Sequence, residues 1–299
     1  MNKHDSATVH RVPLILRSGF LLASLGVLAF SFSFPGTVWA MDSFGPWTTT
    51  GLRGVIAAAL SIGALLIFRV KKPRRRDWPA LVIVAGGSCF GFPLLTTLAL
   101  QTTGTGHSAV VIGILPMCTA VIASVISGQR QPVAFWAAAS VGAVTVVAFS
   151  LVQHGGAPSV GDILLFVGVV ACGFGYAYGG FLSTTMSGWQ VIAWGNVVAL
   201  PVNLVLAGIA IGREPVNLTT TGLLGLACVA GVSQFLGYVV WYTGMAKMGV
   251  ARASQIQLAQ PLLTVVWSVL FMGEALDPVI LFTAAIVIAC IAVTQRVKS

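Results

Sequence analysis

Charge is what this chain has least of. Among 299 residues Asp and Glu supply 7 and Lys and Arg 16, so charged side chains make up 8%, against about 25% in an ordinary soluble domain. With 57% hydrophobic residues, 34 glycines and a mean hydropathy of +0.95, too little polar surface remains to cover a water-soluble fold. The signatures of catalysis are missing as well. There is no Walker motif for ATP, no HExxH, no Ser-His-Asp spacing and no deaminase signature. Cys89, Cys118, Cys172, Cys228 and Cys290 stand singly in apolar stretches, with no CxxC and no neighbouring His or carboxylate. They read as small buried hydrophobes, so no metal, no cofactor and no enzymatic activity are expected. A channel lacks support for the same kind of reason, since no filter sequence or charged pore stripe is present.

Long apolar runs are what the chain has in abundance. At roughly 20 residues per crossing it holds about ten membrane spans. Hydropathy predicts helices over 18–40, 47–69, 79–101, 106–127, 133–152, 161–183, 189–211, 218–242, 250–271 and 278–295, with the Gly-rich third and eighth the least regular. Lys3, His10, Arg11 and Arg17 before the apolar run from Phe20 imitate a secretory signal, with Val38-Trp39-Ala40 as a poor cleavage site. Because nine more apolar segments follow, the run is read as a retained first helix. The expected fold is an all-α membrane protein of ten transmembrane helices.

The net charge of +9 would suggest nucleic acid in a soluble domain. Here its densest run, Lys71, Lys72, Arg74, Arg75 and Arg76, lies between two apolar segments and reads as a cytoplasmic loop. With the N-terminus inside, Lys3, Arg11, Arg17, Arg130, Lys247, Arg252, Arg296 and Lys298 join it. The outer connections then hold Asp42, Asp162, Glu214, Glu274 and Asp277, with Arg213 the one clear basic residue. This asymmetry fits an even number of helices with both termini cytoplasmic.

Sliding the chain against itself by 145 residues aligns Gly86 with Gly231, Ser88 with Ser233, Phe90 with Phe235, Gly104 with Gly249, Pro116 with Pro261, Thr119 with Thr264 and Gly128 with Gly273. Each unit would hold five helices, residues 18–152 and 161–295, between short cytoplasmic tails at 1–17 and 296–299. Five is odd, so the second unit enters the membrane from the opposite side. That arrangement is an inverted repeat, from which many secondary carriers build two gates around one site. Gly128-Gln129-Arg130 would lie inside and Gly273-Glu274-Ala275 outside.

The stretch SQIQLAQPLLTVVWSVLFMGEALDP from Ser254 to Pro278, and Gly51-Leu52-Arg53-Gly54 in the second helix, resemble the EamA-type permeases of the drug/metabolite transporter superfamily. The resemblance spans essentially the whole chain. It implies a ten-helix carrier, with outward transport of amino acids, other metabolites or toxic compounds. Gln129 stands where that family usually has Glu, whereas Glu274 keeps the pattern.

Arg53 is the main anomaly, because an ionised side chain at a helix centre costs about 2.5 to 3.5 kcal/mol. Two readings stand: snorkelling toward the outer headgroups, or a cavity-facing cation that holds a substrate carboxylate or locks an outer gate. The cavity is the working expectation. His107 could sense outer pH, although an exposed interfacial position is the simpler expectation. Gln234, Tyr238 and Tyr242 recur at intervals of four, Gln257 and Gln260 lie three apart beside Ser254 and Gln255, and Gln190, Asn196 and Asn203 share helix 7. Unpaired amides are costly in lipid, so these face other helices or a polar path, with Gln234 and Gln257 the better cavity candidates. Trp39, Trp47, Trp189, Trp194 and Trp241 read as interfacial belt residues, and Trp194 and Tyr238 could also offer rings to a substrate. Pro116 and Pro261 are hinge candidates inside helices 4 and 9, with Gly128, Gly273 and Glu274 at the gates.

The resulting expectation is an inner-membrane permease that moves a small organic metabolite by alternating access, more readily outward than inward. Uptake or exchange of an amino acid is the rival on the same fold, and a non-transporting membrane scaffold is the rival from another class. The partners are a small metabolite or amino acid and the lipid bilayer, with no nucleic acid. A homodimer and a coupling ion are left open.

Overall fold

The computed structural model describes residues 14–128, 132–153, 159–248, 253, 256–257, 259–275 and 277–296. Gln129, Arg130, His154, Arg252, Ser254, Gln255 and both extreme tails lie outside them. Among the described residues there is no strand, and ten helices form one bundle. We number them in chain order. Helix α1 is two pieces, Leu14–Ser31 and Ser33–Met41. Helix α2 is Pro46–Ile67, and α3 runs over Arg75–Ala99. Helix α4 is again two pieces, Thr105–Ile112 and Leu115–Ser127. Helix α5 is Val133–Gln153, α6 is Val160–Leu182 and α7 is Gly188–Ile211. Helix α8 joins Thr220–Ala227, Cys228–Gly237 and Tyr238–Met248. Helices α9 and α10 are Ala259–Met272 and Pro278–Arg296.

Ten membrane-crossing helices were expected, and seven meet the length and hydropathy of a span: α1 to α4 and α6 to α8. Helices α5, α9 and α10 contribute shorter apolar stretches, at 136–149, 259–272 and 278–290. The 14 residues of α9 reach about 21 Å, less than the ~30 Å hydrocarbon thickness.

The glycines of α3 and α8 make them irregular. Ala85–Gly91 and Cys228–Gly237 are π-helical, a wider coil that rotates the residues after it relative to those before it. At Phe32 and at Gly113-Ile114 the backbone leaves the α-helical path. The carbonyl of Ser31, freed by the first break, accepts a hydrogen bond from Thr264 Oγ1 at 2.9 Å. Pro116 sits in the first turn of the second α4 piece, where its missing N–H costs nothing. It therefore starts a helical piece rather than bending the middle of one.

Packing is the same when α1–α5 are exchanged with α6–α10. Helix α2 lies on α7, α4 on α9 and α5 on α10; α1 against α8 is matched by α6 against α3, and α1 against α9 by α6 against α4. Gly128 and Gly273 close α4 and α9 with φ of 68° and 67°, the left-handed region where glycine carries no penalty. The bundle has a basic end, with Arg69 to Arg76 after α2, and an acidic end, with Asp162, Glu214 and Glu274.

Helix α2 approaches α7 closely enough to bring backbone against backbone. A methyl on Gly51 would lie 2.6 Å from the backbone nitrogen of Ala207, whereas one on Gly63 would meet nothing within 4 Å. Gly51→Val should therefore cost about 1 to 3 kcal/mol by overpacking and lower the thermal midpoint of the purified protein. Gly63→Val, on the same helix, serves as the control for β-branching alone. Equal midpoints for the two variants would remove the close approach from the account.

Candidate functional site

A cavity lies at the centre of the bundle where the two helix breaks, the π-helical turn of α8 and the start of α9 converge. Phe30, Ser33 and Phe34 line it from α1, Arg53 from α2, Phe92 from α3, Ala109, Ile112, Gly113, Leu115 and Pro116 from α4, Tyr176 from α6, Ser233 and Tyr238 from α8, and Gln257, Gln260, Pro261 and Thr264 at and just before the start of α9. Its volume is about 30 Å³, room for a water or two and not for a metabolite. A larger void of about 590 Å³ beside Pro201, Val205 and Ile209 opens sideways on α7. Its surface is almost wholly apolar apart from Arg213 and Glu214, and Glu214 is already engaged in capping α2, so few polar groups converge on a solute there.

Arg53 dominates the small cavity. It is 4% exposed, which contradicts snorkelling to the headgroups. Its Nε donates to Gln234 Oε1 at 2.6 Å and its Nη2 to Ser33 Oγ at 3.4 Å. Ser33 Oγ in turn lies 2.6 Å from Ser233 Oγ. Among the described residues no carboxylate pairs with Arg53. A guanidinium carries five N–H donors, so a buried cation with neutral partners keeps both charge and donors for an anion.

Gln234 does not line the cavity but stands behind Arg53. Its Nε2 donates to the Cys89 carbonyl at 3.0 Å and to Asn196 Oδ1 at 3.5 Å. Asn196 Nδ2 donates to Ser61 Oγ at 3.1 Å, and Ser61 Oγ to the Ala57 carbonyl at 2.7 Å. Each member accepts from one side and donates to the other, so Arg53 is held by a satisfied chain across α2, α3, α7 and α8. Tyr238 faces the cavity, its ring 4.7 Å from Phe30 and 6.0 Å from Tyr176. Gln257 is buried and donates to Gln260 Oε1 at 3.4 Å.

Trp194 is elsewhere. It lies at the basic end, 6.2 Å from Trp78, beside Lys71, Lys72 and Arg74. It is two residues from Asn196, about 200° around the helix, so the two cannot share a face. Trp241 is fully buried between α1 and α8 rather than interfacial. Sequence reasoning missed Ser33 and Tyr176. A serine after an unremarkable Phe and one tyrosine in a Gly-rich helix carry no periodic signal, and only the break at Phe32 exposes the first.

His107 is buried, not exposed. Its Nε2 lies 2.6 Å from Asp162 Oδ1 and its ring stacks on Phe149 with centroids 4.9 Å apart. Asp162 Oδ2 accepts from Ser159 N and Oγ at 3.0 and 2.7 Å, while Ser159 Oγ accepts from Asp162 N, a capping box at the start of α6. The pair links α4 to α6 at the acidic end. Nearby, α2 and α4 begin after Gly45 and Gly104, which have no side chain to cap them. Distant carboxylates cap them instead. Glu214 accepts from Trp47 N at 3.2 Å and Thr48 N at 2.8 Å, and Glu274 from Thr105 N at 2.6 Å and Gly106 N at 2.8 Å. Sequence reasoning placed Glu214 only as an outer loop charge.

Residues 17–151 and 159–295 each match the model of the EamA-like transporter family, and the chain belongs to that family. It is therefore a multi-pass membrane transporter of the drug/metabolite transporter superfamily and not an enzyme. It is 38% identical over 93% of its length, and 97% of the relative's, to "Uncharacterized transporter YdeK" of Bacillus subtilis. It is 24% identical to "Probable terminal-alkyne amino-acid exporter" of Streptantibioticus cattleyicolor, over 91% of each chain. To "Threonine/homoserine exporter RhtA" of Escherichia coli it is 26% identical, over 80% of each. A crystal structure with TM-score 0.68 and 20% identity, covering 95% of this chain and 99% of its own, shares the fold.

The carboxylate caps give a direct test. Glu274→Ala and Glu214→Ala should each cost about 1 kcal/mol, the usual value of a helix N-cap. The two act on separate helices, so the double variant should show the sum in thermal unfolding. Midpoints equal to wild type would mean the carboxylates do not cap these helices.

Proposed function

We propose that this chain is an inner-membrane secondary transporter built from two inverted five-helix units. It exports a small organic metabolite bearing a carboxylate, which Arg53 holds in the central cavity. The observation that carries this reading is Arg53, a buried cation at the meeting point of α1, α2 and α8 with no acidic partner among the described residues. Tyr238, Tyr176 and Phe30 would receive the apolar part of such a solute, and Gln257 its remaining polar groups. The inverted arrangement is supported by the exchange symmetry of the packing and the matched φ of Gly128 and Gly273. It is supported too by Glu274, after α9, meeting the start of α4 while Gly128 ends that helix. Outward direction draws on the two amino-acid exporters among the relatives.

In this reading the cavity is occluded, and a substrate enters only when one end opens. Helix breaks at Phe32 and Gly113-Ile114, with Pro116 and Pro261 beside the cavity, are where the backbone has fewest hydrogen bonds to lose. At the acidic end the gate is closed by Glu274, Glu214 and the His107–Asp162 pair. The repeat position matching Glu274 is Gln129, which brings no charge to the opposite gate.

Two experiments test this. In proteoliposomes loaded with labelled threonine, the wild type should release label faster than empty vesicles, and Arg53→Gln should release none beyond them at equal protein content. Full activity of the variant would remove Arg53 from the site, and no flux of any carboxylate-bearing metabolite by the wild type would overturn the carboxylate reading. Accessibility tags at positions 129 and 274 should report opposite faces of the membrane; same-side labelling would overturn the inversion.

A further inference from the structure

The basic end carries a second pocket, separate from the central cavity. It is about 130 Å³ in volume and is lined by Lys71, Lys72, Pro73, Arg74, Asp77, Thr185, Met186, Gln190 and Trp194. Three chain segments build it. The chain leaves α2 through Arg69, whose φ of 50° turns it sharply, and then runs extended through the basic residues to the short helical turn Arg75–Asp77. The turn between α6 and α7 supplies Thr185 and Met186. The first turns of α7 supply Gln190 and Trp194, four residues apart and so on one face. Three cations therefore face the N-terminal end of a 24-residue helix, whose dipole adds positive potential. Among the described residues Asp77 is the one acidic group lining the pocket, and its carboxylate lies 3.8 Å from Arg76 Nε.

Beside the pocket the surface is apolar. Leu66, Ile67 and Phe68 at the end of α2 are 71%, 76% and 69% exposed. Phe68 packs its ring 5.6 Å from Trp189, and Trp78 and Trp194 complete an aromatic group at this level. A concave cluster of Lys and Arg at a helix end, continuous with exposed apolar side chains, matches a molecule with an anionic phosphate at one end and hydrocarbon at the other. A soluble phosphate would use the cations and leave the apolar edge without a role.

We propose that this pocket binds the phosphate diester of an anionic phospholipid, with Lys71, Lys72 and Arg74 on the phosphate, Gln190 and Thr185 as further polar partners, and the acyl chains along Leu66, Ile67 and Phe68. The site bridges the α2–α3 connection of the first half to the α6–α7 connection of the second. It is independent of the transport reading, and its test needs no substrate.

The purified full-length protein in a neutral detergent is titrated with phosphatidylglycerol, phosphatidylcholine or inorganic phosphate, and binding is read as the rise in thermal midpoint and as lipid retained in native mass spectrometry. Phosphatidylglycerol should raise the midpoint well above phosphatidylcholine, and inorganic phosphate should leave it unchanged. The variant K71Q/K72Q/R74Q should weaken phosphatidylglycerol binding roughly a hundredfold, at about a factor of five per basic residue. R75Q/R76Q removes charge from the same run but from outside the pocket and should keep most of the response. Equal responses to the two lipids, or equal losses in the two variants, would overturn the site. A phosphate response matching that of phosphatidylglycerol would make it a soluble-anion site instead. If K71Q/K72Q/R74Q does not fold, Gln190→Ala with Thr185→Ala should still reduce retained phosphatidylglycerol, and full retention would count against the proposal.

Discussion

A guanidinium placed inside an apolar bundle has to be held, and the way Arg53 is held organises much of this molecule. Its Nε bond to Gln234 continues through Asn196 and Ser61 to a backbone carbonyl, tying α2, α8 and α7 by one directed chain of donors, with a branch from Gln234 to the Cys89 carbonyl of α3. The chain satisfies the Gln234 and Asn196 amides, which could not otherwise sit in lipid. It leaves the cation itself short of charge compensation. A structure that invested only in stability would place a carboxylate there, because a buried charge left without its partner is strongly destabilising. The neutral surroundings are the physical reason to read the site as one completed by an anionic ligand.

The second constraint is close approach between helices. Helix α2 lies tightly against α7 at Gly51, and α3 and α8 approach their neighbours through π-helical, Gly-rich turns. The α8 turn and the breaks in α1 and α4 border the cavity. The acidic end is built differently, by charge. Two helices begin on glycine and borrow their caps from Glu214 and Glu274, and a third contact is the buried His107–Asp162 pair. Helix N-termini and carboxylates thus join elements from both halves of the chain at one end.

Much of this was legible in the sequence, for identifiable reasons. Hydropathy gave the helix order because each apolar run is bounded by polar or charged turns. Arg53, Tyr238, Gln257, Pro116 and Pro261 stood out as polar groups or backbone breakers within such runs, and all of them line the cavity. Placement in the bundle defeated other readings. Trp194 was offered beside Tyr238 as a ring for the substrate although it lies at the basic end, and Gln234 is taken up by Arg53, the Cys89 carbonyl and Asn196 rather than by the cavity. Contacts between residues far apart in the chain left no trace. His107 and Asp162 are separated by 55 residues and Trp47 and Glu214 by 167, so a buried pair looked like an interfacial histidine and a helix cap like a loop charge.

The central claim, that Arg53 waits for an anion, is most directly tested by ligand binding rather than by flux. Thermal unfolding of the purified protein across a panel of amino acids, organic acids and apolar cations, repeated with Arg53→Gln, measures differential stabilisation by whatever binds the native state. The account predicts at least one carboxylate-bearing compound that raises the midpoint of the wild type and has no effect on the variant. Stabilisation only by apolar or cationic compounds, retained in Arg53→Gln, would contradict it and return Arg53 to a purely structural role.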